Sequence, residues 1–261
     1  MSSFIRKTEV LVGGKKFITP DLNIEFRIEF SDGEELNDAE IKIYNLSDQS
    51  VNLIKKNLPL VINAGYEGDI GNVFIGGIYD VFTERTNTDR ITTILAVEAS
   101  DQWQRMNITK TYKAGIKASQ ILRDLIGFTG LATGALSIPR DVTYSRGKSL
   151  SGKLPNIVKD IAKDAGAKAT VTKGKIFIRD PQQGDTLSFQ FTPNRGLIGT
   201  PERFEDEEAI GYNVKALLNH RVQTDSIIQV GSSTAKGRFR VRKGVHLSNS
   251  SSFYTEMEVV E

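Results

Sequence analysis

The chain has 261 residues, with 34 Lys and Arg against 32 Asp and Glu, and it contains no cysteine. A chain of this length buries on the order of 70–75% of the surface its unfolded form exposes, enough for two or three small domains. The absence of cysteine excludes disulfides and thiolate metal sites and suits a protein made in cytoplasm, while the near-neutral balance leaves any nucleic-acid case to local patches.

No apolar run approaches the ~20 residues that span a bilayer, so no membrane insertion is expected. The opening MSSFIRKTEVLVGG lacks the continuous apolar segment of a secretion signal.

Residues 3–103 read as strand-rich. Ile24, Phe26, Ile28 and Phe30 alternate with Glu25, Arg27 and Glu29, the pattern of an antiparallel strand with one wet face. Ser31-Asp32-Gly33 supplies a turn. Ile41 and Ile43 continue the alternation, Ser47 is placed to cap a short helix, and Val51 and Ile54 share one of its faces. Leu60 to Ala64 returns as a strand, Gly65 to Asn72 is expected to turn, and Val73 to Val81 runs back. Thr86-Asn87-Thr88-Asp89 then separates a strand ending near Glu84 from one at Ile91–Ala99. Many short strands with regular turns predict a closed barrel or a sandwich, of which the barrel is preferred. Gly76-Gly77 is followed by no lysine-serine pair, so it reads as a bend or bulge at a barrel corner rather than a phosphate loop.

Between about 104 and 183 the period changes. Ala118, Ile121, Leu122, Leu125 and Ile126 form one helical stripe. Leu154, Ile157, Val158, Ile161, Ala162 and Ala165 form another, stopped by Gly166. Lys173-Gly174 joins the strands Ala167–Thr172 and Lys175–Arg179 as a tight hairpin. Thr129–Ser149 shows little periodicity. From 184 the chain is β again, with Leu187, Phe189 and Phe191 alternating, Ile227–Val230 apolar, Phe239 and Val241 alternating with arginines, and Tyr254–Val260 last. Pro193–Ile210 is expected to be a long loop. The expected fold class is mainly β with an α+β insert: two antiparallel β-barrels, 1–103 and 184–261, flanking a small α/β domain, 104–183.

Catalytic chemistry finds little support. His220 and His246 are the only histidines, too few for most histidine-based catalysis, and no carboxylate spacing around them announces a metal site. Asp80, Glu84, Asp101 and the run Glu205-Asp206-Glu207-Glu208 are the candidates for paired carboxylates of a hydrolase. A charge run in a loop is ordinarily solvated. No GxSxG elbow surrounds any serine. The expectation is no catalytic, metal or cofactor-binding residue, and no cofactor. Arg238, Arg240 and Arg242 lie two apart on one strand face. They suit either a positive stripe for a partner or an ordinary wet face paired with neighbouring glutamates.

Tyr44-Asn45-Leu46-Ser47 before a short helix and Ala64-Gly65-Tyr66 after it, within Ala39 to Val81, form one assembly module. Gly196-Leu197-Ile198-Gly199-Thr200-Pro201, Gly211-Tyr212-Asn213-Val214, Leu217-Leu218-Asn219, Gly237-Arg238-Phe239-Arg240-Val241 and Gly244-Val245-His246 follow in order. Together they resemble the baseplate or tail-tip hub proteins of phage tails, the late control protein D family, across nearly the whole chain. His220 departs from that pattern, in which proline often follows the leucine-leucine-asparagine run. The resemblance implies a virion structural protein with two tube-like barrels per chain. It also implies a homotrimer that adapts a sixfold tail tube to a threefold spike, with other baseplate proteins as partners and DNA passing the lumen without specific binding. The competing readings are a tail tube or tube-initiator protein, a peptidoglycan hydrolase of the tail tip, and a nucleic-acid-binding barrel.

Overall fold

The structure, a computed structural model, describes residues 5–33, 37–98, 103, 105–206 and 209–261, and the backbone alone at 188 and 189. Two compact units emerge, residues 1–98 together with 184–261, and residues 99–183.

The first segment supplies β1 (Arg6–Val12), β2 (Lys15–Ile18), β3 (Ile24–Ser31), β4 (Asp38–Tyr44), α1 (Asp48–Leu53), β5 (Pro59–Tyr66), β6 (Asp69–Arg85) and β7 (Arg90–Glu98). Their ladder order is β3-β4-β7-β6-β5-β1-β2, antiparallel throughout. The period-2 pattern fixes which side faces inward: Val10, Ile41, Ile43, Leu60, Ile62, Phe74 and Ile94 are fully buried. Ser47 caps α1 by accepting from the Ser50 amide at 3.3 Å. The expected turn over Gly65–Asn72 shrinks to Glu67-Gly68, because β5 continues to Tyr66 and β6 starts at Asp69. A Cβ on Gly65 would lie 2.2 Å from the Asp69 carbonyl oxygen, so this glycine serves a close strand crossing rather than a long turn. Gly76 likewise makes room for the Phe74 ring, 2.6 Å from where a Cβ would sit. The bulge itself falls two residues later, between Ile78 and Asp80.

Residues 99–183 contain β8 (Asn107–Tyr112), β9 (Ile116–Lys117), α2 (Ala118–Thr129), β10 (Ala132–Leu136), β11 (Thr143–Tyr144), β12 (Lys148–Lys153), α3 (Leu154–Asp164), β13 (Lys168–Thr172) and β14 (Lys175–Arg179). β8 pairs β12 and β9 pairs β11, both antiparallel, while β14 joins β13 antiparallel and β10 parallel. Both predicted helical stripes are buried: Ile121, Leu122 and Leu125 on α2, Leu154, Val158 and Ile161 on α3. The stretch Thr129–Ser149, expected to be irregular, carries β10 and β11. Short strands with exposed side chains have no apolar alternation to betray them.

The helices are an internal repeat. Gln120-Ile121-Leu122-Arg123-Asp124-Leu125-Ile126 returns 36 residues later as Asn156-Ile157-Val158-Lys159-Asp160-Ile161-Ala162. Each copy is preceded by a lysine (Lys117, Lys153) in extended backbone. Each is closed by a glycine in the left-handed region, Gly130 at φ 68° and Gly166 at φ 71°.

The last segment adds β15 (Asp185–Phe191), β16 (Leu197–Glu205), β17 (Ile210–Leu217), β18 (Ser226–Gly231), β19 (Lys236–Ser248) and β20 (Phe253–Val260). β16-β17-β20-β19 form an antiparallel run, β18 lies on the first half of β19, and β15 pairs β18 in parallel. Most of the loop expected at Pro193–Ile210 is therefore strand β16. Its register jumps from Ile198↔Lys215 to Glu202↔Asn213, so Pro201 sits in a bulge where it need not donate to the ladder. The second half of β19 pairs β3, which joins everything in this unit into one 13-stranded sheet.

That sheet encloses two apolar cores. One centres on Ile41, Leu60, Phe74 and Ile94, the other on Val214, Ile228, Val241 and Val259. The segments exchange residues: Phe30 belongs to the second core, Leu218 and Phe253 to the first. The architecture is mainly β with large antiparallel ladders and few helices, the fold class expected from the sequence.

The seam between β3 and β19 is tight at Gly244, where a Cβ would lie 2.4 Å from the Glu256 carbonyl oxygen and 2.6 Å from the Phe30 ring. Gly244→Ala is expected to destabilise the protein by about 1–3 kcal/mol, the usual cost of overpacking. An unchanged midpoint in chemical denaturation would show that the seam is looser than this geometry.

Candidate functional site

Each histidine sits in a structural network. His246, on β19, is buried against Phe30 with ring centroids 4.9 Å apart. Its Nε2 lies 3.2 Å from the Val222 carbonyl, which can only accept, so Nε2 carries the proton. Nδ1, 2.8 Å from Thr255 Oγ1, then accepts from that hydroxyl. The tautomer with its proton on Nε2 satisfies both neighbours. His220 lies just beyond β17, where its Nε2 meets Asp69 Oδ1 at 3.1 Å.

Asp69 is the centre of that second network. Arg221 clasps it with two bonds, Nη1 to Oδ2 at 2.9 Å and Nη2 to Oδ1 at 2.6 Å. The Arg221 hydrogen bond, then the His220 bond, hold the Asp69 carboxyl far below the usual carboxylate range. Tyr66, from the same hairpin, packs edge-on against Phe253 at 5.3 Å. The tip of the β5–β6 hairpin is thus latched to the loop after β17. Gly71 is part of the fit, since a Cβ there would fall 2.2 Å from His220 Nδ1. Sequence reading missed Asp69 because nothing local distinguishes an acid at a hairpin tip from a solvated one.

The three arginines of β19 do not form an open positive stripe. Arg240 Nη1 donates to both Asp32 and Asp225 at 2.9 Å. Arg242 bonds Asp206 at 2.9 Å and approaches Glu258 at 2.5 Å. Arg238 Nη2 donates to Thr186 Oγ1 at 3.1 Å. The geometry matches a strand face paired with neighbouring acids, Asp as well as Glu.

The carboxylate candidates are not brought together. Asp80 pairs with Lys56 at 2.9 Å, which lowers its pKa, and Glu84 lies four residues along the same strand. Asp206 is held by Arg242, while Asp101, Glu207 and Glu208 lie outside the described residues. A cleft of about 610 Å³ runs beside β3 and β19 and holds Glu29, Asp38, Glu256 and Glu258. Two of these acids meet a cation of the cleft: Arg27 reaches Glu29 at 2.5 Å and Lys243 reaches Glu258 at 3.1 Å. A glycosidase needs one carboxyl with a raised pKa facing another. The carboxyls of Glu9, Asp69, Asp80, Asp124, Asp141 and Asp164 all lie below their ordinary values instead, and none of these six lines the cleft. Among the described residues no group of three or more His, Asp and Glu could hold a metal ion, and no helix is long and apolar enough to cross a membrane.

No family model and no curated protein matches this sequence. Solved structures do. The chain is similar to the tail protein from Neisseria meningitidis MC58, with a TM-score of 0.71 at 10% identity over 99% of this chain and 97% of that one. It is similar to the 43 kDa tail protein of prophage MuSo2 from Shewanella oneidensis, with a TM-score of 0.73 at 9% identity over 98% and 97%. A third is the E. coli c3393 protein, a type VI secretion component described as similar in structure to the T4 tail proteins gp27 and gp5. There the TM-score is 0.65 at 9% identity over 96% and 76%. At these identities the likeness is one of fold, and it extends over nearly the whole chain.

The latch has a pH signature. A carboxyl whose pKa is depressed on folding contributes stability above its ordinary value of 3.8 and loses it as pH falls toward the folded value. Asp69→Asn is expected to cost about 1 kcal/mol at neutral pH, the size left after screening of a largely exposed pair. It should also flatten the acid limb below about pH 4. Parallel acid limbs in urea melts of the two proteins would show that the latch contributes nothing.

Proposed function

We propose that this chain is a structural protein of a phage tail or related contractile injection particle, a baseplate hub that adapts a sixfold tail tube to a threefold spike. The observation that carries the reading is a single 13-stranded sheet wrapped around two separate cores, in a chain whose fold is that of tail proteins nearly end to end. Three copies bring six such lobes, the number that stacks on a sixfold ring while keeping threefold symmetry for a spike. In this reading 1–103 and 184–261 are the two barrel domains, and 104–183 meets other baseplate proteins. The protein acts in the virion tail, has no enzymatic step, and needs large complementary surfaces rather than a pocket.

Passage of DNA without capture fits the charge of the β unit. Residues 1–98 with 184–261 carry 19 Lys and Arg against 26 Asp and Glu, a balance of −7 that repels phosphate.

Cryo-electron microscopy of the assembled tail tip is expected to place three copies, each with two lobes, in one ring between tube and spike. Six copies per ring, each giving one lobe, would instead identify a tube or tube-initiator protein. Deleting 104–183 is expected to block attachment of other baseplate proteins. Normal particles from that deletion would remove the role given to this domain.

A further inference from the structure

The near-neutral total conceals a segregation of charge. Residues 99–183 hold 15 Lys and Arg against six Asp and no Glu, a balance of +9. Charge asymmetry of this size between parts of one chain points to a polyanionic partner.

Three of the six acids in this unit are already used. Asp124 accepts from Lys110 Nζ at 2.6 Å and Tyr112 Oη at 2.5 Å. Asp164 accepts from Tyr144 Oη at 2.8 Å and Lys148 Nζ at 3.2 Å. Asp141 takes the Ser119 amide and hydroxyl, each at 2.9 Å. Lys113, Lys117, Arg123, Arg140, Arg146, and Lys153 stay exposed.

The β8–β12 pair gives this charge a shape. It is a two-stranded antiparallel ribbon with two unlike faces. One face is anchored: Leu150 is buried, and Lys110 and Tyr112 are tied to Asp124 of α2. The other presents Asn107, Thr109 and Thr111 opposite Lys153, Ser151 and Ser149, all exposed, with Lys113 continuing the row. Thr109 pairs with Ser151 and Thr111 with Ser149, each hydroxyl to hydroxyl at 3.2 Å. This face carries no carboxylate. Lysine, hydroxyl and amide side chains are the groups that bond phosphate oxygens, and a two-stranded ribbon is one of the two elements that the major groove of B-DNA admits.

We infer that the exposed face of the β8–β12 ribbon binds duplex DNA through its phosphate backbone, independently of base sequence. The inference does not depend on the tail reading. The ribbon lies along the groove, Lys113 and Lys153 contact phosphates at its two ends, and the hydroxyl rows between them donate to phosphate oxygens.

The test is fluorescence anisotropy of a labelled DNA duplex titrated with the full chain between about 50 and 200 mM salt. Binding should weaken linearly in log salt, with a slope of about −0.9 per phosphate neutralised. The double variant K113Q/K153Q should lower affinity at least tenfold and reduce the slope by about 2. The variant K163Q/K175Q removes the same charge from exposed positions off the ribbon and should change affinity less than threefold. Equal losses in both variants would reduce the effect to net charge and overturn the assignment. Failure to bind duplex at about 50 mM salt would overturn it as well. So would binding to phosphatidylglycerol vesicles without binding to duplex, which would make the basic surface a membrane contact.

Discussion

The ladder between β3 and β19 is the constraint on which the β unit depends. β19 is a single strand of 13 residues: Phe239 and Val241 belong to the second core, and its later half runs beside Ile28 and Phe26 of the first. Its first half pairs β18 and β20, and its second half pairs β3 and β20. The register breaks between Val241 and Lys243, and across that break the buried positions change from Phe239 and Val241 to His246 and Ser248, so the other alternate set of residues faces inward. His246 then fills the junction as a ring bonded on both sides, and Gly244 lets Phe30 cross into the second core. Without this pairing the chain would hold two separate sheets with four raw edges instead of one continuous sheet.

Ion pairs reinforce the junction without driving it. Arg240 joins Asp32 from the end of β3 to Asp225 from the turn before β18, with all three side chains largely buried. Asp69 and Arg221 tie the hairpin tip to the second core's loop. Exposed pairs of the second kind are worth little. Buried pairs chiefly penalise arrangements in which a partner is missing. Their contribution is to the choice of arrangement, while apolar burial on both sides of the seam supplies the stability.

Net charge is a poor summary of this molecule. A total of +2 averages a basic α/β unit with an acidic β unit. Arg240 and Arg242 of β19, prominent in the sequence, are taken up by Asp32, Asp225 and Asp206 from three other segments. The less conspicuous row Thr109, Thr111, Ser149 and Ser151 stays open to solvent.

The sequence by itself determined what depends on neighbours a few residues apart. Alternation at Ile24–Phe30 and Ile41–Ile43, the stripes of α2 and α3, the Ser47 cap and the Lys173-Gly174 hairpin are all of this kind, because local periodicity decides which face can be buried. Tertiary structure alone decided the rest. Ser31 pairs with Lys243, Asp69 meets Arg221 across 152 positions, β10 finds β14 in parallel, and the glycine- and proline-rich stretch after Pro193 becomes the edge strand β16. Backbone hydrogen bonds between distant segments carry no side-chain periodicity. An edge strand with mostly exposed side chains, such as β16, has no apolar pattern to announce it.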